Sequence, residues 1–486
     1  MTWVFILLIK FRLHNTSMAF TTVSEIDRIY SAQLKNKAEV KHSTADKRIS
    51  WLKRLLSSII AEEKAIEKAL YLDFHKSGIE TAITEILAVQ VELKHIIKNL
   101  KGWMKDRSVR RSLMMPNVNA YLHYEPKGNA LIITPWNYPF QLPIVHLASC
   151  IAAGNTAIVK LSEFSPNTNK LVKNIISDLF SEDHIAVVEG AVEETTHLLG
   201  LRFDHIHFTG SPKVGKIVME AASKNLTDIT LELGGKSPAI IDKNVNLKKV
   251  VKNLIWAKFI NAGQTCIAPD YILAHRHQKH QIEELFRKEL VEAFGNDAFN
   301  SPDYARIINE KQFQRLQDNL NDAKNLGAVI ISGGNSDPKT NYIEPTVITN
   351  VASTNSLMTD EIFGPILPIV YYSQIQEAID FVNEKEKPLA LYVFSKDDNF
   401  NKHIIRYTSA GSTCINDAMI QIMHPNLPFG GINNSGIGQS TGRYGFISFS
   451  HERAVANVKI TPVSSMFWFP YTEKTNKMLQ WIRKIV

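Results

Sequence analysis

The chain is sparing with cysteine: 486 residues carry three, Cys150, Cys266 and Cys414, with no CxxC pair and no metal-ligand spacing among them. Neither a disulfide framework nor a cysteine zinc site is supported, and a reducing compartment such as the cytoplasm is expected. Long apolar runs are scarce as well. The N-terminal run Val4 to Ile9 has six residues, against the about 20 that a bilayer span needs. Its positive charges follow it, the wrong order for a secretory signal, so residues 1–17 read as a disordered or non-native extension with Met18 as the expected start. The stretch from Phe467 to Val486 is interrupted by charges throughout. No transmembrane segment is expected there, although Phe467, Trp468 and Phe469 suit a peripheral membrane contact.

A dominant charge sign is also missing. The 55 Lys and Arg against 48 Asp and Glu leave +7, and the two signs interleave, which argues against a nucleic-acid partner. Residues 94 to 111 hold seven basic residues and a single Asp, but without aromatic interleaving they read as a solvated helix end. No solenoid-period repeat and no low-complexity segment is found.

What is present is an ordinary globular composition, 44% hydrophobic and 21% charged, on a chain too long for one core. Residues 44 to 70 place Ile49, Leu52, Leu56, Ile66 and Leu70 near a period of 3.6, which predicts an amphipathic helix, and a second helical run covers about 80 to 100. Val118, Ala120, Leu122 and Tyr124 alternate with polar residues, as a half-exposed strand requires. From residue 130, the strand-like runs ALIITP, TAIVKLS, HIAVVEG and HIHFTGS alternate with helical ones. Near residue 230 the alternation restarts with DITLELGG and SPAIID, followed by helices over 247–260, 279–294 and 375–384 among further apolar runs. Two α/β domains in series are expected, each a mostly parallel sheet covered on both faces. A late strand, with Ala454, Ala456, Val458 and Ile460 on one face, belongs to neither sheet. With the strand near 118–124 it is expected to form an arm covering an edge, on another subunit if not its own.

Cys150 lies in an apolar helix and Cys414 in a strand, so both read as core; Cys266 stands in the polar loop NAGQTC, where packing gives no reason for it. A cysteine acts as a nucleophile only as thiolate, which requires access and hydrogen-bonding or positive neighbours. Glu232 interrupts an apolar strand before two glycines, where burial is expected to raise its pKa toward that of a useful base. Asn137 follows a buried strand in TPWNYPF, where its amide can donate to an oxyanion, although a turn role would explain it equally. In HIHFTGSPKVG, Ser211 and Pro212 are good N-cap and first-turn residues, and Gly210 and Gly215 permit close approach of a phosphate. The spacing is not GxGxxG, so a plain strand-to-helix turn fits as well. Lys160 and Glu163 follow a buried strand, where ligands bind in parallel sheets and carboxylates hold ribose hydroxyls; an exposed loop is the alternative. The histidines of HRHQKH, His275, His277 and His280, read as surface, and no metal is expected.

Taken together, PWNYP, KLSE, FTGSPKVG, LELGGKSP, NAGQTC, EIFGP and LPFGGINNSG resemble the aldehyde dehydrogenase superfamily in order and spacing, and the resemblance covers about residues 24 to 475. AGQTCIAPDYIL and FSHERAV are similar to its class 3 or fatty-aldehyde branch. The resemblance implies two Rossmann-like open parallel-sheet domains and a small β oligomerisation arm. It divides the chain into NAD(P)-binding segments 18–110 and 127–232, a catalytic domain 233–434, and bridging strands 111–126 and 435–470.

It also implies roles. Cys266 would attack the aldehyde, Asn137 and the Cys266 N–H would hold the oxyanion, and Glu232 would activate the water that releases the acid from a thioester. Glu361 would hold the nicotinamide ribose with Phe363 beside the ring, Lys160 and Glu163 the adenine-side ribose, and Gly210, Ser211 and Gly215 the pyrophosphate region. NAD is the implied cofactor, with NADP open; a homodimer and medium- to long-chain aliphatic or aromatic aldehydes follow from the branch. The rival readings are an acylating enzyme that releases its product to CoA or phosphate, and a relative that has lost catalysis.

Overall fold

A computed structural model describes residues 20–112, 115, 117–460 and 462–485. The reading of residues 1–17 and of Met18 lies outside these described residues.

Two open sheets carry the architecture. The first has six strands in the order Gly436–Ile437, Asp228–Glu232, His205–Thr209, Asn129–Ile133, Thr156–Leu161, Ile185–Glu189. All pair in parallel except Gly436–Ile437, which runs antiparallel beside Asp228–Glu232. Asn129–Ile133, Thr156–Leu161 and Ile185–Glu189 are mostly apolar along their length because both faces of the sheet are covered. Ala130 and Ile132 face one core with Leu52, Ile144 and Val172, while Leu131 and Ile133 face another with Ile26, Val218 and Leu198. The helix Gln141–Ala153 is apolar all round and buried at every position after Gln141, as a helix enclosed on all sides must be.

Strand order decides where a ligand can sit. From Asn129–Ile133 the chain steps to Thr156–Leu161 and Ile185–Glu189 on one side, then returns to His205–Thr209 on the other. That reversal opens a crevice at the C-terminal ends of Asn129–Ile133, Thr156–Leu161 and His205–Thr209, where ligands of open parallel sheets bind.

The second sheet has seven strands in the order Val329–Ser332, Thr346–Thr349, Ile366–Tyr372, Tyr271–His275, Pro238–Ile241, Ala390–Phe394, Ser412–Ile415, parallel except for Val329–Ser332. Apart from the two large sheets, the chain forms a three-stranded ribbon. The early strand Val118–Pro126 and the late strand Ser450–Val458 pair antiparallel within the one chain, from Val118 opposite Val458 to Pro126 opposite Ser450, with Arg107–Ser108 alongside the first.

Local departures from the sequence reading have local causes. The helix expected over 44–70 bends at Glu62 (φ −96°, ψ 10°) into Ala45–Ala61 and Glu63–Phe74, although Glu62 N still bonds Ser58 O and Ile66 N bonds Glu62 O; a near-continuous hydrogen-bond ladder keeps the apolar period across the bend. The run near 80–100 opens on a widened π-helical segment, Ala82–Leu87, before Ala88–Trp103. Such segments are frequent at functional sites. Among the described residues no helix is long and apolar enough to cross a membrane.

Candidate functional site

The loop before Cys266 is built from backbone that few residues tolerate. Asn261, Ala262 and Gly263 take φ of 53°, 50° and 74° in succession. Left-handed backbone costs a non-glycine residue about 1–2 kcal/mol, so the loop needs fastening. Asn261 N donates to the Glu80 carboxylate at 2.8 Å, and Asn261 Nδ2 donates to the carbonyls of Asn137 (2.8 Å) and Gln264 (3.1 Å). Gln264 Nε2 donates to Asn261 O and Arg306 O at 2.9 and 3.0 Å, while its Oε1 accepts from Ile308 N at 3.0 Å. Gly263 is obligatory: a Cβ there would lie 2.3 Å from the Gly364 carbonyl oxygen. The small and polar residues of NAGQTC are thus the fasteners that aim Cys266.

Cys266 is half-buried, whereas Cys150 and Cys414 are buried in core clusters. It lines an apolar pocket with Leu142, Val145, Trp256, Met419 and Phe429, and Glu232 and Thr209 stand in the same wall. The π-helical segment contributes Ile83 and Thr84 to this pocket. The Asn137 side chain donates from Nδ2 to Gln264 O at 3.1 Å, two residues before the thiol, while among the described residues its Oδ1 has no partner. Burial, joined by the charges of Glu361 and Glu232, pushes the Cys266 thiol up, against the smaller pull of its own N–H and that of Ile267. Both effects favour the neutral thiol over the thiolate.

Glu232 ends its strand opposite Thr209, and its carbonyl accepts from Gly210 N at 3.0 Å. Its carboxylate accepts from Ser440 Oγ and, at 3.2 Å, from Thr209 Oγ1; His146 Nε2 lies 3.3 Å and His207 Nε2 3.9 Å from the same oxygen. The expectation of a raised pKa is corrected by this set. Burial does push the carboxyl up, but the two histidines outweigh it and hold it well below the usual carboxylate range. They arrive from another strand and a distant helix, so the segment around Glu232 does not announce them. One signal was readable: His207 and Thr209 alternate along HIHFT and therefore share a face beside Glu232.

Glu361 lies against the Gly234–Gly235 turn, where a Cβ at position 234 would come 2.2 Å from its carboxylate oxygen. Burial and Asp270 push its carboxyl up to about 8, opposed by the Gly235 N–H, Lys236 and Lys258. Its loop is pinned by a buried pair the sequence reading overlooked. Lys236 Nζ meets Asp270 at 2.5 Å and the carbonyls of Leu357 and Asp360 at 2.8 Å, and Asp270 accepts from Ile362 N at 3.0 Å. Phe363 (φ 49°) turns its ring edge-on to Trp136, with centroids 5.3 Å apart, beside Asn137.

The remaining sequence candidates gather at the crevice of the first sheet. Lys160 is buried at the end of Thr156–Leu161, 3.5 Å from Glu163, with its ammonium pushed down by burial. Gly210 closes its strand, Ser211 caps the helix Pro212–Ser223 by accepting from Val214 N at 3.4 Å, and Gly215 packs so closely that a Cβ would lie 2.8 Å from Leu233. The Gly210–Glu232 backbone bond makes this group continuous with the thiol pocket. A helix N-terminus with free N–H groups, flanked by glycines and a Lys–Glu pair, has the donor chemistry for a dinucleotide.

The model of the aldehyde dehydrogenase family matches residues 15–455. The chain is 45% identical over 403 residues to the 4,4'-diaponeurosporen-aldehyde dehydrogenase of Staphylococcus aureus, covering 83% of this chain and 87% of that protein. It is 42% identical over 407 residues to the dimeric NADP-preferring aldehyde dehydrogenase of Canis lupus familiaris, covering 84% and 89%. Among solved structures, the substrate-bound state of Staphylococcus aureus AldH superposes with a TM-score of 0.90 at 41% identity, over 94% of this chain and 99% of that one.

Proposed function

The chain belongs to the aldehyde dehydrogenase family, and from that premise we propose that Cys266 is the nucleophile in its NAD(P)-dependent oxidation of aldehydes. The observation that carries this reading is the shared pocket: Cys266 and Glu232 stand in one apolar wall, with the Asn137 amide tied to the loop that holds the thiol.

The Cys266 thiol gives its proton, by way of water, to the ionised Glu232, which returns it to solvent; the sulfur adds to the aldehyde carbon, and the oxygen that gains charge is met by the Asn137 amide and the Cys266 N–H. Donors of this kind are each worth about 3–4 kcal/mol in acyl transfer. Bound NAD(P) supplies the two-electron acceptor. Oxidation leaves the acyl group on sulfur as a thioester, which water hydrolyses. Glu232, ionised and accepting from Thr209 and Ser440, takes the proton of that water. Lys160 and Glu163 hold the adenine-side ribose, the Gly210–Ser211 turn and Gly215 the pyrophosphate, and Glu361 with Phe363 the nicotinamide half. The acidic Glu163 favours the ribose without a 2'-phosphate, and Lys160 beside it leaves room for NADP.

Leu142, Val145, Trp256, Met419, Met423 and Phe429 make the pocket suit a long apolar aldehyde, in keeping with the relative named for a diaponeurosporen aldehyde. The same proposal includes a cytoplasmic homodimer, and peripheral membrane contact through Phe467, Trp468 and Phe469, which are 37%, 61% and 81% exposed.

Cys266→Ala is expected to abolish aldehyde-dependent NADH formation while NAD still binds by calorimetry; retained turnover overturns the scheme. Glu232→Gln should slow hydrolysis about 10²–10⁴-fold and leave an acyl adduct on Cys266 visible by intact-protein mass spectrometry. A normal steady-state rate in that variant removes Glu232 from the role of base.

A further inference from the structure

Glu232 has more neighbours than water activation needs. His146, from the helix Gln141–Ala153, and His207, from the strand His205–Thr209, lie with ring centroids 3.8 Å apart and are both buried. Their Nε2 atoms face one Glu232 oxygen at 3.3 and 3.9 Å, and the three groups can bring their donor atoms within 4.8 Å of one another. Among the described residues, neither ring nitrogen of His207 has a hydrogen-bond partner, although its side chain is fully buried. An unpaired buried polar group is costly and calls for a reason, such as an absent ion.

We propose that His146, His207 and Glu232 form a site for a zinc-class divalent transition ion, entered from the substrate pocket, whose occupancy reversibly blocks Glu232. Metal–ligand bonds of about 2.0–2.1 Å in a tetrahedral site separate the ligand atoms by about 3.3–3.4 Å. The observed 3.3 Å matches that edge, the 3.9 Å requires a shift of about half an ångström, and the edge between the two imidazoles, within 4.8 Å, closes by rotation of the rings. Two imidazoles and one carboxylate form the open three-ligand set of zinc hydrolases, with a fourth position for water. Two nitrogen donors disfavour the hard ions calcium and magnesium.

The entry path is the pocket wall, where Glu232 and Thr209 are in place and Thr209 Oγ1 lies 3.2 Å from Glu232 and 3.4 Å from His146. Ser440 braces the carboxylate from its other oxygen. No group braces His207 Nδ1 among the described residues. A missing outer partner of that kind lowers metal affinity by about 10–100-fold, which makes the site a reversible one and not a permanent structural centre. The sequence alone points to no metal, because the cysteines are scattered and His275, His277 and His280 read as surface residues; His146 and His207 meet only through the fold.

An ion here occupies the carboxylate that takes the proton from water, so thioester hydrolysis slows; that consequence rests on the role proposed for Glu232, whereas the binding itself does not. The test therefore reads binding without turnover. Full-length Cys266→Ser protein, which lacks the reactive thiol, is titrated with Co²⁺ alone. One ion per chain with the intense visible absorption of a four- or five-coordinate site is expected, and affinity should fall at least tenfold in Cys266→Ser/His207→Phe and in Cys266→Ser/His146→Gln. Should one double variant fail to fold by circular dichroism, the other carries the comparison. Absence of binding in Cys266→Ser overturns the proposal. Unchanged binding in the histidine variants overturns it in favour of the surface histidines.

Discussion

A thiol that faces two carboxylates resists ionisation, and the degree of resistance follows the charge on those carboxylates. Burial, Glu361 and Glu232 together raise Cys266, and Glu361 itself titrates near 8. As pH climbs through that value Glu361 gains its charge and opposes thiolate formation more strongly. In cofactor-free protein, Glu361→Gln should therefore speed iodoacetamide alkylation of Cys266 several-fold at pH 9 and much less at pH 6.5. Equal rates at both pH values would exclude Glu361 as the controlling charge. A second residue reports on stability. His184 is buried between Trp51 and Phe180 and pushed down to about 4 by burial. Its folded pKa lies below the unfolded value, so the unfolded chain binds the proton first. Stability is full above about 6.5 and is lost as pH falls toward 4. At pH 5 this amounts to about 2 kcal/mol, and His184→Leu should flatten the dependence of the urea-unfolding free energy on pH between 7.5 and 5 by about that much.

At the scale of the element, the helix Pro212–Ser223 separates stability from binding. Ser211 satisfies one orphan N–H at its start, and Ser211→Ala should cost about 1 kcal/mol. Ser211→Asp keeps the cap but sets a negative charge where a pyrophosphate is proposed to rest. The thermal midpoint should then survive while NAD affinity, read by calorimetry, falls at least tenfold; unchanged affinity would move the pyrophosphate elsewhere. This cap was readable because Ser-Pro at a strand end is a local signal. So were Lys279–Phe294 and Leu247–Phe259, whose apolar periods announce them. Glu310–Asn325 escapes a search for apolar runs because Phe313, Leu316, Leu320 and Ala323 are its only buried residues. The left-handed turn at Asn261 to Gly263 was equally hidden, since the Gly364 carbonyl that demands glycine lies far along the chain.

At the scale of the whole molecule, the strand Ser450–Val458 forms the outer edge of the three-stranded ribbon, and most of its nine residues are exposed. Long uncovered edges invite pairing with another chain. Light scattering should give about 110 kDa, twice the 54.9 kDa of the chain; a monomer at micromolar concentration would refute the proposed arm-mediated dimer. Strand and helix periods, the Ser211 cap, the polar setting of Cys266 and the order of the motifs were all legible in the sequence, because each depends on residues within a few positions of one another. The charge states of Cys266 and Glu232, the His146–His207 pair and the Lys236–Asp270 brace were decided only by tertiary structure. Electrostatic energy depends on distance and burial in space, and groups far apart along the chain acquire both only when the sheets and helices pack.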